Sequence, residues 1–132
     1  MAFQYAVVRA VPRIDRGEMI NIGVIMYCQQ ADFLRATMII DDVRLRALDA
    51  EVDLEAVQTS AQAIVEACGE NRGSARENDG LATRFGMVTA PRSTVVQPSL
   101  IHAGVTRNPQ RTLVDLLTRL VAPARSLRGP AD

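Results

Sequence analysis

The chain has 132 residues, 48% of them apolar, and a formal net charge of zero. That length fits one domain, residues 1–132, which buries about two-thirds of its unfolded surface without metal or disulfide staples. Zero net charge argues against a non-specific nucleic-acid binder, which needs a basic excess to release counterions.

Phe3 to Val11 is rich in bulky β-forming residues. Alternation sets Tyr5, Val7 and Arg9 on one face and Ala6, Val8 and Ala10 on the other. Pro12 cannot donate to a ladder and closes the strand, and Asp15-Arg16-Gly17-Glu18 is a turn with Gly17 free to take positive φ. Met19 to Cys28 is a second strand, apolar on both faces and so central and covered on both sides. After the short connection Gln29–Asp32, Phe33 to Ile40 is a third strand. Short connections predict an antiparallel three-stranded meander.

Asp41 and Asp42 end the sheet and cap a short helical turn through Val43–Leu48. Asp53 starts the clearest helix, with Leu54, Val57, Ala61, Ile64, Val65 and Cys68 in one stripe and Gly69 as its stop. Residues 71–80 have almost nothing to bury and read as an exposed loop. Leu81 to Thr89 reads as one more strand, with Phe85, Met87 and Val88 inside. Thr94–Gln97 is short and extended between Pro91 and Pro98. Asn108 and Pro109 open the last helix, whose stripe is Leu113, Leu116, Leu117, Leu120 and Val121. Pro123 ends it, and residues 124–132 read as a frayed tail. The expected class is α+β: an antiparallel sheet starting with the meander and packed against two main helices, near 53–69 and 109–122. Two helices leave part of a two-sided apolar sheet uncovered, and a homodimer is one way to hide the remainder.

All fifteen cations are arginine. A G+C-rich bacterial or phage genome explains this; so does a need for planar bidentate donors, but the arginines are scattered. Cys28 and Cys68 lack partners at metal-ligand spacing and read as small buried hydrophobes. The first residues show no basic n-region or long apolar h-region, and no run is long enough to span a membrane. The expectation is a reduced, cytoplasmic protein without metal or cofactor.

Two polar stretches stand out. In the first, Arg13 and Arg16 could grip an anion, Glu18 orient one of them, and Asn21 read an amide or base edge. The competing reading is a solvated hairpin in which Glu18 pairs with an arginine across the turn and Asn21 bonds to neighbouring backbone. In the second, Arg92 with the hydroxyls of Ser93 and Thr94, beside Gln97 and Ser99, could hold phosphate or carboxylate, with His102 acting near neutral pH; the competing reading is ordinary turn chemistry beside proline. No nucleophile elbow, P-loop or dinucleotide-binding pattern occurs. Single-strand stacking needs exposed aromatics, and only five aromatic residues exist.

Three segments carry a resemblance: Tyr5-Ala6-Val7-Val8-Arg9 with Pro12-Arg13, then Arg16-Gly17-Glu18-Met19-Ile20-Asn21-Ile22-Gly23-Val24, and Phe85-Gly86 with Thr89-Ala90-Pro91-Arg92-Ser93. On these the chain resembles, over nearly its full length, a bacterial family known only as domain of unknown function 3037. The resemblance implies genes that neighbour those of HipA-like protein kinases, hence an accessory or partner role, and no catalytic residue. The leading expectation is a non-enzymatic binding or interaction module with a protein partner. The alternatives are a small enzyme on a phosphorylated or nucleotide-like substrate, or a nucleic-acid accessory factor in defence or mobile elements.

Overall fold

The structure, a computed structural model, describes residues 1–69 and 80–123. Strand β1 (Ala2–Ala10) is followed by β2 (Ile20–Cys28) and β3 (Phe33–Met38) as the expected meander. Helices α1 (Asp42–Leu48), α2 (Leu54–Cys68) and α3 (Leu81–Val88) follow, then the short strands β4 (Val96–Pro98) and β5 (His102–Val105), and helix α4 (Pro109–Leu120). The five strands form one open antiparallel sheet in the order β3-β2-β1-β4, with β5 also on the outer side of β1. The protein is therefore α+β.

Local chemistry fixes most boundaries. Asp41, Asp53 and Asn108 each accept a bond from the backbone N–H three residues on, satisfying a donor that the helix cannot. Gly17 takes φ +71° in the β1–β2 turn, where a side chain would be strained.

The segment 81–88 corrects an expectation, since it is a helix and not a strand. Leu81, Phe85 and Val88 recur at helical spacing, and Phe85 and Val88 are buried while Met87 is 51% exposed. Alternation had placed Met87 inside. Phe85 stacks on Tyr27 with ring centroids 5.5 Å apart. The proposed loop residues 71–79 and the tail 124–132 lie outside the described residues.

The sheet is sandwiched. Helices α1, α2 and α3 cover one face, where Leu45, Val57, Ala61, Ile64, Phe85 and Val88 pack with Val8, Ile22, Ile25 and Leu34. Helix α4 covers the other, where Leu113, Leu116 and Val121 pack with Phe3, Val24, Met26 and Cys28. Complete burial of side chains this size stabilises by roughly 1.5–3 kcal/mol each. Because α3 joins α2, helices lie on both faces, and the uncovered face invoked for a homodimer is largely filled. Among the described residues, what stays open is the outer edge of the sheet.

A bulge breaks the alternation of β2. Val8 pairs with Gly23, but Arg9 pairs with Asn21, so Ile22 is the extra residue. Asn21 and Gly23 therefore face opposite sides of the sheet, not the same side as simple alternation requires. Asn21 looks toward α4. Gly23 looks toward Met38, where a Cβ would overlap the Met38 sulfur and lie 2.7 Å from the Thr37 carbonyl oxygen.

Candidate functional site

The β1–β2 turn and the segment entering β4 emerge at the same end of the sheet, joined by a Val11 N–H bond to the Val95 carbonyl of 2.7 Å. The two polar stretches are thus neighbours as backbone. Their side chains are a separate question.

In the turn, the backbone N–H groups of Arg16 and Gly17 both donate to the Arg13 carbonyl, which curls the segment on itself. Arg16 Nε donates to Glu18 Oε1 at 2.7 Å, and Arg13 lies 3.6 Å from Asp15. All four side chains are exposed. The hydrogen bond, then the Coulombic attraction, holds the Glu18 carboxyl below the usual carboxylate range and raises Arg16 above its ordinary value. Beside the turn is an open cleft of about 410 Å³ lined by Pro12, Arg13, Ile14 and Asp15 with Asp49 and Glu51. The last two come from the α1–α2 connection, and sequence reasoning did not anticipate them. Asp49 uses one carboxylate oxygen to accept from the Glu51 N–H, an ordinary Asx turn.

Asn21 has a structural partner. Its Nδ2 donates to the Leu120 carbonyl at 2.9 Å, satisfying one of the free acceptors at the end of α4. Arg44 donates to the next carbonyl, Val121, at 3.2 Å, placing a cation where the helix dipole favours one. Asn21 also sits in a cross-strand row with Arg9 and Gln97. Arg9, half-buried in that row, was not singled out from sequence; a β-strand arginine in an apolar pattern is the signal that could have found it. Gln97 Nε2 donates to the Thr94 carbonyl at 2.8 Å.

Arg92 folds back on α3, donating to the carbonyls of Met87 at 3.0 Å and Ala90 at 3.4 Å. Ser93 is exposed. His102 pairs with Tyr5 and stacks on its ring at 5.1 Å. Tyr5 and Ala10 are five residues apart along β1, so His102 is roughly 16 Å from the end of the sheet that carries the turn. Asn21 bonds to α4 and Arg92 to α3, helices on opposite faces of the sheet, and His102 lies toward the other end of it. No group of three or more His, Cys, Asp or Glu side chains able to hold a metal occurs among the described residues.

The edge formed by β4 and β5 has a different character. Ser99 N–H donates to the Val7 carbonyl at 2.7 Å, and Ser99 Oγ accepts from the Val7 N–H at 2.8 Å. The serine side chain replaces a missing backbone acceptor where the edge strand is interrupted. The register against β1 shifts by one residue across Leu100–Ile101, so β4 and β5 form one edge strand carrying a bulge. Met1 and Thr106 exchange backbone bonds of 2.7 and 2.8 Å. By the alternation of an antiparallel ladder, Gly104 and His102 then point their backbone groups at β1, and Ala103 and Val105 point theirs outward. No described residue pairs with those outward groups.

This edge bears no charge from Val96 to Val105 other than any on His102. Leu100 is 84% exposed, Val105 82% and Ile101 47%. Edge strands are ordinarily blunted with charges, proline or a covering element. Pro98 blunts β4, and at the opposite edge of the sheet β3 carries exposed Arg35 and lies beside α2. Among the described residues, strand β5 has neither protection. The Phe3 ring does lie over Gly104, where a Cβ would meet it at 2.6 Å, but that contact covers the face of the strand and not its edge.

A family model described as "Protein of unknown function (DUF3037)" matches residues 5–121. No curated protein matches the chain, and neither does any solved structure. No helix among the described residues is long and apolar enough to cross a membrane.

Proposed function

We propose that this chain, which belongs to the DUF3037 family of unknown function, works in the cytoplasm as a non-enzymatic interaction module. Its recognition element is the open β5 edge. The observation that carries the reading is the contrast between the polar and apolar surfaces. Arg16 and Glu18 satisfy each other, while Asn21, Arg92 and Gln97 serve backbone carbonyls. Strand β5 instead presents outward backbone groups that no described residue pairs, flanked by exposed Leu100, Ile101 and Val105. Adding a strand to such an edge gives affinity through main-chain bonds and specificity through alternate side chains.

The family resemblance directs the first search for a partner toward HipA-like protein kinases encoded beside the gene. The test is hydrogen exchange on the purified chain, with and without such a kinase. Slow exchange at the Ala103 and Val105 amides, through self-association or on mixing with the kinase, is the expected result, and fast exchange under both conditions would remove the β5 edge as the recognition element. Sustained turnover of a phosphorylated or nucleotide substrate by the purified chain alone would overturn the non-enzymatic reading.

A further inference from the structure

We infer that the β5 edge pairs with the β5 edge of a second copy of this chain, antiparallel about a twofold axis through Ala103. The inference rests on the reading of β5 as an interface and names what occupies it.

A twofold contact sets a surface against itself, so the edge must be self-complementary. Charge is the first requirement, because like charges directly opposite are destabilising. Residues 99–106 contain no Asp, Glu, Lys or Arg, so no register within them sets like charges together. The chain's other edge, β3, carries Arg35, which a twofold axis through the strand would bring near its own copy. Charge therefore selects β5.

Backbone geometry and side-chain pattern then select the register. Ala103 directs its N–H and C=O outward, so two copies of Ala103 can exchange both bonds without disturbing the ladder to β1. In that register Val105 of one copy lies beside Ile101 of the other, and the arrangement occurs twice. Both are exposed β-branched residues, the type that stabilises a cross-strand pair. His102 falls opposite Gly104, over which the Phe3 ring lies, so the imidazole of one copy would meet the Phe3 ring of the other. An axis through Gly104 instead would set Ile101 against Arg107 and lose the apolar pairing.

Light scattering on the full chain tests the state, and three variants test the register. The wild type is expected to be a dimer. Ala103→Pro removes an N–H that the β1 ladder does not use, so it is expected to give a monomer with an unchanged circular dichroism spectrum. Ala103→Cys is expected to cross-link across the axis under mild oxidation. The paired Cα atoms would be about 5.5 Å apart, inside the disulfide range. The two native cysteines are buried and do not compete. Val105→Cys should not cross-link, because the two copies of residue 105 would be offset by four residues, about 14 Å.

A monomeric wild type overturns the inference, as does cross-linking of Val105→Cys as readily as Ala103→Cys. Should Ala103→Pro fail to fold, the cysteine pair still decides. A monomeric wild type whose Ala103 and Val105 amides are protected by a kinase sinks the second copy and leaves the interaction reading standing. A cross-linked dimer that also turns over substrate does the reverse.

Discussion

Replacing Gly23 by alanine tests the packing of the central strand. The new methyl group would overlap the Met38 sulfur and approach the Thr37 carbonyl oxygen to 2.7 Å. Methionine is unbranched and can move aside. The carbonyl cannot, because it belongs to the β2–β3 ladder, where Val24 pairs with Thr37. Overpacking a filled site costs about 1–3 kcal/mol, and the fixed backbone atom sets this case toward the upper end. Restricting the unfolded chain offsets about 0.4–1 kcal/mol. The net expectation for Gly23→Ala is a loss of about 2 kcal/mol, a fall in melting temperature of roughly 6–10 °C for a chain of this size. Urea unfolding should show a lower midpoint at unchanged slope. In a Met38→Ala background the sulfur overlap disappears and the carbonyl contact stays, so the same substitution should cost about 1 kcal/mol. A double-mutant cycle therefore gives a coupling of about 1 kcal/mol. Equal cost in both backgrounds would refute the assigned role of Met38, and no cost in either would refute the close approach itself.

Ser99→Ala leaves the buried Val7 N–H without its acceptor, so a loss of about 1–3 kcal/mol and faster exchange of that amide are expected. A loss below the precision of urea unfolding would mean that water or a shifted backbone replaces the hydroxyl. Asn21→Asp sets a carboxylate against the Leu120 carbonyl and should be less stable than Asn21→Ala at neutral pH. The gap should narrow as the pH falls far enough to protonate the new side chain, and a gap independent of pH would exclude the electrostatic cause. For Glu18, a carboxyl held below its ordinary range by Arg16, NMR titration should give a midpoint that rises toward the ordinary value in Arg16→Ala. The sign follows from linkage: any stability from this pair is present above the unfolded carboxylate pKa and fades as pH drops through the lowered folded value. An unmoved midpoint would show that Arg16 is not the cause.

The meander and three of the four described helices were legible because their signals are local. Asp53 followed by apolar residues at helical spacing, and Asn108-Pro109, mark helix starts irrespective of tertiary context. Residues 81–88 were misread because Phe85 and Met87 also fit alternation, and Gly80 offers no capping side chain. Strand β5 was missed because His-Ala-Gly-Val is short and carries a glycine, and its place is fixed by pairing with β1 some hundred residues earlier. The bulge at Ile22 left no mark on the apolar pattern, so the facing of Asn21 and Gly23 could not be read. For the site, the hairpin pairing of Arg16 with Glu18 was one of the two readings weighed. The use of Asn21 and Arg92 to finish helices was not readable, because it depends on where α4 and α3 end in space.

The placement of the two tyrosines makes this molecule a convenient optical subject. With no tryptophan present, Tyr5 and Tyr27 are its intrinsic fluorophores. Tyr5 packs with the α4 layer and Tyr27 with the α2–α3 layer. Silencing one at a time with phenylalanine yields a separate light signal from each side of the sheet. Coincident melting curves would report a single cooperative unit, and divergent curves would reveal which layer peels away first.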